Sequence, residues 1–120
     1  MEFSTFISYL FHSRTQAHIY HLQTPLYAEH IALQAYYEGI VLLIDGLVES
    51  YQGKNGIIHD YTNFNLKQYQ SKEQVIGYFE TLCEAAYQAY EIVEDSYLQN
   101  QIDTVTELIK STLYKLSHLH

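Results

Sequence analysis

The sequence predicts an all-α protein: a four-helix bundle of two antiparallel helical hairpins joined by a long crossover. Apolar side chains recur every three or four residues in four segments, which is the spacing of an amphipathic helix. The first and last breaks between these segments are short and the middle break is long. No segment alternates as a strand does. A chain of 120 residues, 48% of them hydrophobic, is expected to form one domain covering residues 1–120.

The first hairpin is predicted from residues 2 to about 51. Its first helix, to about residue 22, has apolar side chains at Phe3, Phe6, Ile7, Leu10, Phe11, Ala17, Ile19 and Leu22. Thr24-Pro25 should end this helix, because proline disfavours helix in the residue before it and suits the first turn of a new helix. The second helix is expected from about Pro25 to Tyr51, where the glycines of residues 52–56 favour a stop.

The second hairpin is predicted after a crossover at residues 57–70, which have no clear period and suit at most one short helix. Ser71 offers a cap for a third helix over about 72–98. Asn100 or Asp103 can cap a fourth helix over about 104–117.

Charge and composition exclude several classes of function. Six Lys and Arg residues against fourteen Asp and Glu give a net charge of -8, which argues against a nucleic-acid-binding surface. The single cysteine, Cys83, cannot form an internal disulfide, and we expect a cytoplasmic location. Glu2 without a basic segment argues against a secretory signal. The apolar run Gly39 to Ile44 is too short to span a bilayer, so no membrane association is expected.

Four polar residues stand out as candidate metal ligands: His18, His30, Asp45 and Glu49. His18 precedes Thr24 by six residues and His30 follows it by six, so an antiparallel hairpin places both imidazoles at one level. Asp45 and Glu49 are four residues apart and share a helix face, a spacing suited to a cation that prefers oxygen ligands. The sequence therefore predicts one imidazole half-site and one carboxylate half-site.

The two half-sites cannot meet within one chain, because a straight helix places His30 and Asp45 about 22 Å apart. They can meet if two copies of the second helix pair antiparallel about a two-fold axis. Gly39 lies next to the midpoint of the pair and lacks a side chain, which suggests close helix approach there. We therefore predict a two-fold dimer with two identical shared sites.

The spacing of these ligands resembles the ferroxidase signature of the Dps proteins, the mini-ferritins of the ferritin-like superfamily. It reads Ala17-His18, eleven residues, His30, fourteen residues, Asp45, three residues and Glu49. The resemblance implies an iron site between subunits, oxidation of ferrous iron by peroxide or oxygen, and storage of ferric mineral in a dodecamer. His18 and His30 would be the imidazole ligands, Asp45 a carboxylate ligand, and Glu49 the carboxylate that bridges or closes the site. Zinc and manganese are the alternative metals.

Two functions from different classes follow. The first is a Dps-like ferroxidase and iron-binding protein, in which no catalytic residue is needed beyond the metal ligands. The second is a non-catalytic ferritin-like helical dimer that serves as a structural or interaction module. Ile19 stands where the Dps family usually has Trp, and no basic N-terminal arm is present, so we expect no direct DNA binding. Taken singly, His12, His21 and His59 are interpreted as core histidines with satisfied hydrogen bonds.

Overall fold

The computed structural model describes residues 1–120 and contains four α-helices and no β-strand. They are α1 (Phe3–Gln23), α2 (Tyr27–Asn55), α3 (Lys72–Ile92) and α4 (Ser96–His118). The prediction of an all-α protein with four helices is thereby confirmed.

The helices surround one hydrophobic core. α1 and α4 each contact both α2 and α3, so the four helices close into a ring. The 24 buried apolar residues form a single cluster that draws on every helix, which means that no helix packs on its own. Its largest fully buried side chains are Tyr20, Tyr36, Phe6 and Phe79.

The chain turns between α1 and α2 at Thr24 and Pro25, where the sequence predicts a break. The Thr24 hydroxyl accepts from the Leu26 N–H at 3.1 Å and donates to Glu29 Oε1 at 2.9 Å. The side chain of Thr24 therefore joins the end of α1 to the first turn of α2. At its other end α2 runs past Tyr51 to Asn55, and Gly56 follows with a φ of 84°, a conformation that favours glycine.

The crossover of residues 56–71 contains no helix. Its polar backbone is instead bonded to side chains of α1. The buried Gln16 side chain both donates to the Lys67 carbonyl (2.8 Å) and accepts from the Lys67 N–H (2.7 Å). Ser8 Oγ accepts from the Thr62 N–H at 2.8 Å. These bonds satisfy backbone groups that a helix would otherwise have paired.

Two more side chains complete this series, which we call the α1 ladder: Ser8, His12, Gln16 and Gln23. His12 Nε2 donates to the Asn65 carbonyl at 2.9 Å, because a carbonyl oxygen can only accept. Gln23 Oε1 accepts from the Tyr69 N–H at 2.7 Å. Along the ladder, residues with higher numbers on α1 bond to residues with higher numbers on the crossover. The crossover therefore runs beside α1 in the same direction.

The predicted boundary between the third and fourth helices is wrong. α3 ends at Ile92 rather than near residue 98, and α4 begins at Ser96 rather than near residue 104. Asp95 occupies the N-cap position of α4, so neither Asn100 nor Asp103 caps the helix.

The break between α3 and α4 contacts the end of α2. Lys54 Nζ lies 2.9 and 3.1 Å from the two carboxylate oxygens of Asp95. The hydrogen bond to Asp95 raises the pKa of Lys54. The break is also held by Gln99, whose side-chain amide donates to the carbonyl of the buried Val93 at 3.1 Å. Lys54 is distant from Asp95 in sequence, and Gln99 and Val93 lie on opposite sides of the break. Local sequence patterns therefore did not indicate where α3 ends.

By length and composition alone, α2 is apolar enough to cross a membrane. An 18-residue window within its 29 residues has a mean hydropathy of 1.5, and 33% of that window is buried. The core helix of a soluble protein meets the same criterion, and α2 contributes Leu33, Tyr36 and Ile40 to the core of this bundle.

Candidate metal centre

The end of α1 and the start of α2 are joined by a pair of histidines. The rings of His21 and His30 stack with centroids 3.7 Å apart and an interplanar angle of 17°. His21 Nδ1 lies 2.7 Å from the His30 carbonyl oxygen, and His30 Nδ1 lies 2.8 Å from the His21 carbonyl oxygen. Because a carbonyl oxygen only accepts, each Nδ1 carries the hydrogen. A neutral ring then keeps a free lone pair on Nε2.

His18 lies beside this pair on α1. It is exposed, and its ring stacks on Tyr37 at a centroid distance of 4.2 Å. The His21 ring is 5.9 Å from that of His18. His30 therefore stacks on His21 rather than on His18, and the two predicted imidazole ligands do not face each other directly.

The three histidines that we interpreted as satisfied core residues have different environments. His21 is 6% exposed and hydrogen-bonded, so the interpretation is confirmed. His21 also holds the ring of His30, a role that the sequence analysis missed. The spacing of three residues between His18 and His21 places both on one helix face and could have indicated it. His12 is half-buried with both ring nitrogens bonded. His59 is exposed, so the interpretation is wrong there.

The carboxylate half-site lies far from these histidines on α2. Asp45 and Glu49 are both exposed, and neither makes a hydrogen bond or an ion pair within the chain. A helix rise of about 1.5 Å per residue separates Asp45 from His30 by about 22 Å. No three His, Cys, Asp or Glu side chains of the chain are grouped so that they could hold a metal ion. The predicted imidazole and carboxylate half-sites are thus separate within one chain.

The carboxylates belong to an exposed face of α2 that also carries apolar side chains. We call it the outer stripe of α2, and its members follow one another at three- or four-residue spacing: Tyr27, Ile31, Ala35, Glu38, Leu42, Asp45 and Glu49. Tyr27 is 78% exposed and Leu42 is 77% exposed, so large apolar surface faces away from the core. The stripe has no covering element in the chain.

Gly39 lies where α2 passes α4. A Cβ atom at this position would lie 3.4 Å from Leu108 Cδ2 of α4, which is an ordinary van der Waals contact. The position therefore faces a leucine of the same chain and has room for a methyl group. The crossing of two protomers near Gly39 stays a prediction.

Sequence comparison adds a family relationship. Residues 21–116 match the model of DUF5856, described as a family of unknown function. The matched region contains His30, Asp45 and Glu49, whereas His18 precedes it. No curated protein and no solved structure matches the chain. Since the match extends over most of the 120 residues, the chain belongs to the DUF5856 family.

Proposed function

We propose that the protein is a Dps-like ferroxidase that binds ferrous iron between two protomers and oxidises it there. Each site would combine His18 and His30 of one protomer with Asp45 and Glu49 of the partner subunit. The observation that carries the proposal is the paired bonding of His21 and His30, which fixes the His30 ring and leaves its Nε2 free.

A ferritin-like topology of two antiparallel hairpins underlies this proposal, and contacts between the helices support it. α1 and α2 contact each other at both ends, Phe3 with Tyr51 and His21 with His30, as antiparallel helices do. Only residues 93–95 separate α3 from α4, which favours an antiparallel pair there too. Ser50 likewise bonds Gln101, which favours antiparallel α2 and α4. These contacts and the crossover favour hairpins whose inner helices, α2 and α3, run in the same direction.

The imidazole half-site has the support that a metal-binding histidine needs. A histidine ligand usually donates its second ring N–H to a carbonyl or carboxylate, which fixes the tautomer and the orientation of the ring. His30 makes this bond through Nδ1 to the His21 carbonyl. His18 is exposed beside it and packs against Tyr37. Two imidazoles are therefore available to an ion that approaches from outside the bundle.

The carboxylate half-site supplies what the histidines lack. Asp45 and Glu49 have no partner in the chain, so their charge is available to a cation. Imidazole and carboxylate together suit iron, with zinc and manganese as alternative metals. Iron is the substrate in this proposal: two ferrous ions, one hydrogen peroxide and two protons give two ferric ions and two waters.

The outer stripe of α2 supports assembly of two copies. Tyr27, Ile31 and Leu42 would be buried if the stripes of two chains packed antiparallel about a two-fold axis. In that arrangement the start of α2 in each protomer would lie beside the end of α2 in its partner. The imidazoles of one protomer would then lie near the carboxylates of the other. Six such dimers would make the hollow dodecamer that the Dps resemblance implies.

Ferrous iron followed by peroxide under anaerobic conditions tests the activity. We expect absorbance of ferric species to appear faster than in buffer alone, and we expect loss of this acceleration in His18→Ala, because an imidazole ligand is removed. His59→Ala, which changes an exposed histidine outside the site, should behave as wild type. An oxidation rate no faster than that of buffer would rule out the ferroxidase proposal.

Replacement of Leu42 by glutamate tests the dimer. The outer stripe already carries Glu38 and Asp45 beside Leu42, so two added carboxylates would be buried in the contact among like charges. We therefore expect a dimer of the wild type to become a monomer in Leu42→Glu. Sedimentation velocity measures the change. Ile57→Glu is the matched control, since Ile57 is 69% exposed and lies in the crossover. A monomeric wild-type protein would exclude the shared site altogether.

The second candidate function is a non-catalytic dimer that acts as a structural or interaction module. The outer stripe of α2 favours it directly, since the stripe offers apolar surface whether or not metal binds. A wild-type dimer that does not accelerate iron oxidation would select this function over the first.

A further inference from the structure

A second feature of the bundle lies on the side of α1 that faces α3. A cavity of about 520 Å³ opens between these two helices beneath the crossover. That volume falls in the range of about 300–1,000 Å³ in which small-molecule sites occur. None of the four predicted metal ligands lines the cavity, so it is independent of the proposed iron site.

Aromatic rings make one wall of the cavity, and they are already fixed by contacts within the chain. Tyr9 of α1 stacks on Phe64 of the crossover at a centroid distance of 4.7 Å. Tyr78 of α3 adds a third ring. Leu82 and Ala85, on the turns of α3 that follow, complete the apolar lining. A flat apolar molecule would therefore meet rings and methyl groups that need no rearrangement.

His12 of α1 keeps this wall in place by bonding both the crossover and α3. Its Nε2 donates to the Asn65 carbonyl, so its Nδ1 accepts, and Tyr78 donates to it at 2.7 Å. Burial raises the pKa of Tyr78, which keeps the phenol protonated and able to donate. Both ring nitrogens of His12 are hydrogen-bonded, so the side chain links α1 to α3 and to the crossover and is not free to act as a base.

The charge at the cavity is negative. Glu84 is the one acidic lining side chain; it is exposed and forms no ion pair, and no lysine or arginine lines the cavity. Lys110 of α4 is close enough to be influenced by Glu84, but it lies over the Tyr87 ring at 5.5 Å. The whole chain carries a net charge of -8. A positively charged group at the mouth is thus favoured over a negative one.

We propose that this cavity binds a small alkylamine that carries a flat aromatic ring. The ring packs against Tyr9, Phe64 and Tyr78 while the ammonium group pairs with Glu84. The two features are independent: the rings select flat apolar ligands, and the carboxylate selects their cationic forms. Thr5 and Thr81 also line the cavity, and their hydroxyls make no hydrogen bond within the chain, so they are free to bind a polar substituent.

Tryptamine at neutral pH is the probe, with indole-3-propionate as its anionic counterpart and tryptophol as its neutral one. The chain contains no tryptophan, so the fluorescence of the indole reports binding directly. We expect tryptamine to bind about ten-fold more tightly than indole-3-propionate, because the carboxylate would repel the anion. Glu84→Gln should weaken the binding of tryptamine about two- to five-fold, because an exposed ion pair contributes little to affinity. The binding of tryptophol should not change. Glu80→Gln, which changes an exposed carboxylate outside the lining, should have no effect on either.

Filling the cavity tests its location. Ala85→Phe and Thr81→Phe should each abolish binding of tryptamine, and Thr81 is exposed, so its replacement leaves the core intact. Circular dichroism checks that both variants remain helical. The proposal is overturned if wild type does not bind tryptamine at millimolar concentration, if cation and anion bind equally, or if both phenylalanine variants bind as wild type does.

Discussion

Mixing His30→Ala subunits with Asp45→Ala subunits is expected to restore iron oxidation that neither variant supports alone. Each site of the proposed dimer takes its imidazoles from one protomer and its carboxylates from the other. In a mixed dimer both substitutions fall in the same site, and the second site is intact. An equal mixture that exchanges freely contains half mixed dimers, so about one quarter of the wild-type sites should be active. The rate of ferric absorbance after addition of peroxide measures the recovery.

This experiment distinguishes a shared site from any site within one chain. If all ligands came from a single chain, every subunit in the mixture would be damaged and no activity would return. The controls are His59→Ala mixed with Asp103→Ala, two exposed positions outside the site, which should keep the full rate. Subunits are exchanged by unfolding and refolding the mixture, and a refolded wild-type sample sets the reference.

The largest effect on stability is expected from Phe79→Ala. Phe79 is fully buried, and its ring meets that of Tyr36 edge-on at 4.8 Å and 76°. Removal of a buried phenylalanine ring costs about 3–5 kcal/mol through lost burial and the cavity that remains. A domain of this size is stable by about 5–15 kcal/mol, so the loss takes a large share of the total. Urea denaturation at fixed protein concentration, followed by circular dichroism, measures the change.

Tyr87→Ala provides the matched control for this substitution. Tyr87 lies on the same helix and is 44% exposed, so its removal should change the free energy of unfolding by less than about 1 kcal/mol. Equal destabilisation by the two substitutions would contradict the placement of Phe79 in the core between α2 and α3.

The sequence predicted those parts of the fold that depend on local signals. Thr24-Pro25 marked the first turn, and Ser71 marked the start of α3, where its side chain accepts from the Gln74 N–H at 3.1 Å. The break at residues 93–95 has neither proline nor glycine, and its Asp95 is held by Lys54 of α2. Such a contact between distant residues cannot be read from propensity or from a helical period.

The candidate site was predictable to the extent that it depends on spacing. The positions of Asp45 and Glu49 on an exposed face follow from helix geometry and from the core pattern of α2. The bond between His30 and the His21 carbonyl depends on how α1 and α2 are rotated against each other, which the sequence pattern leaves open. Gly39 shows the same limit, since its lack of a side chain did not indicate that the position faces Leu108 of α4.

The α1 ladder has a consequence for which substitutions the chain can tolerate. Ser8, His12 and Gln16 bond to main-chain atoms of the crossover, which every residue type except proline provides in full. Crossover side chains that face only solvent are therefore exchangeable. Those of the ladder are constrained, and so are Phe64, which stacks on Tyr9, and Tyr69, which packs against the core. Among relatives of this chain, we expect the other residues of 60–70 to diverge in sequence while the segment keeps its path, because the bonds that hold the path come from a neighbouring helix.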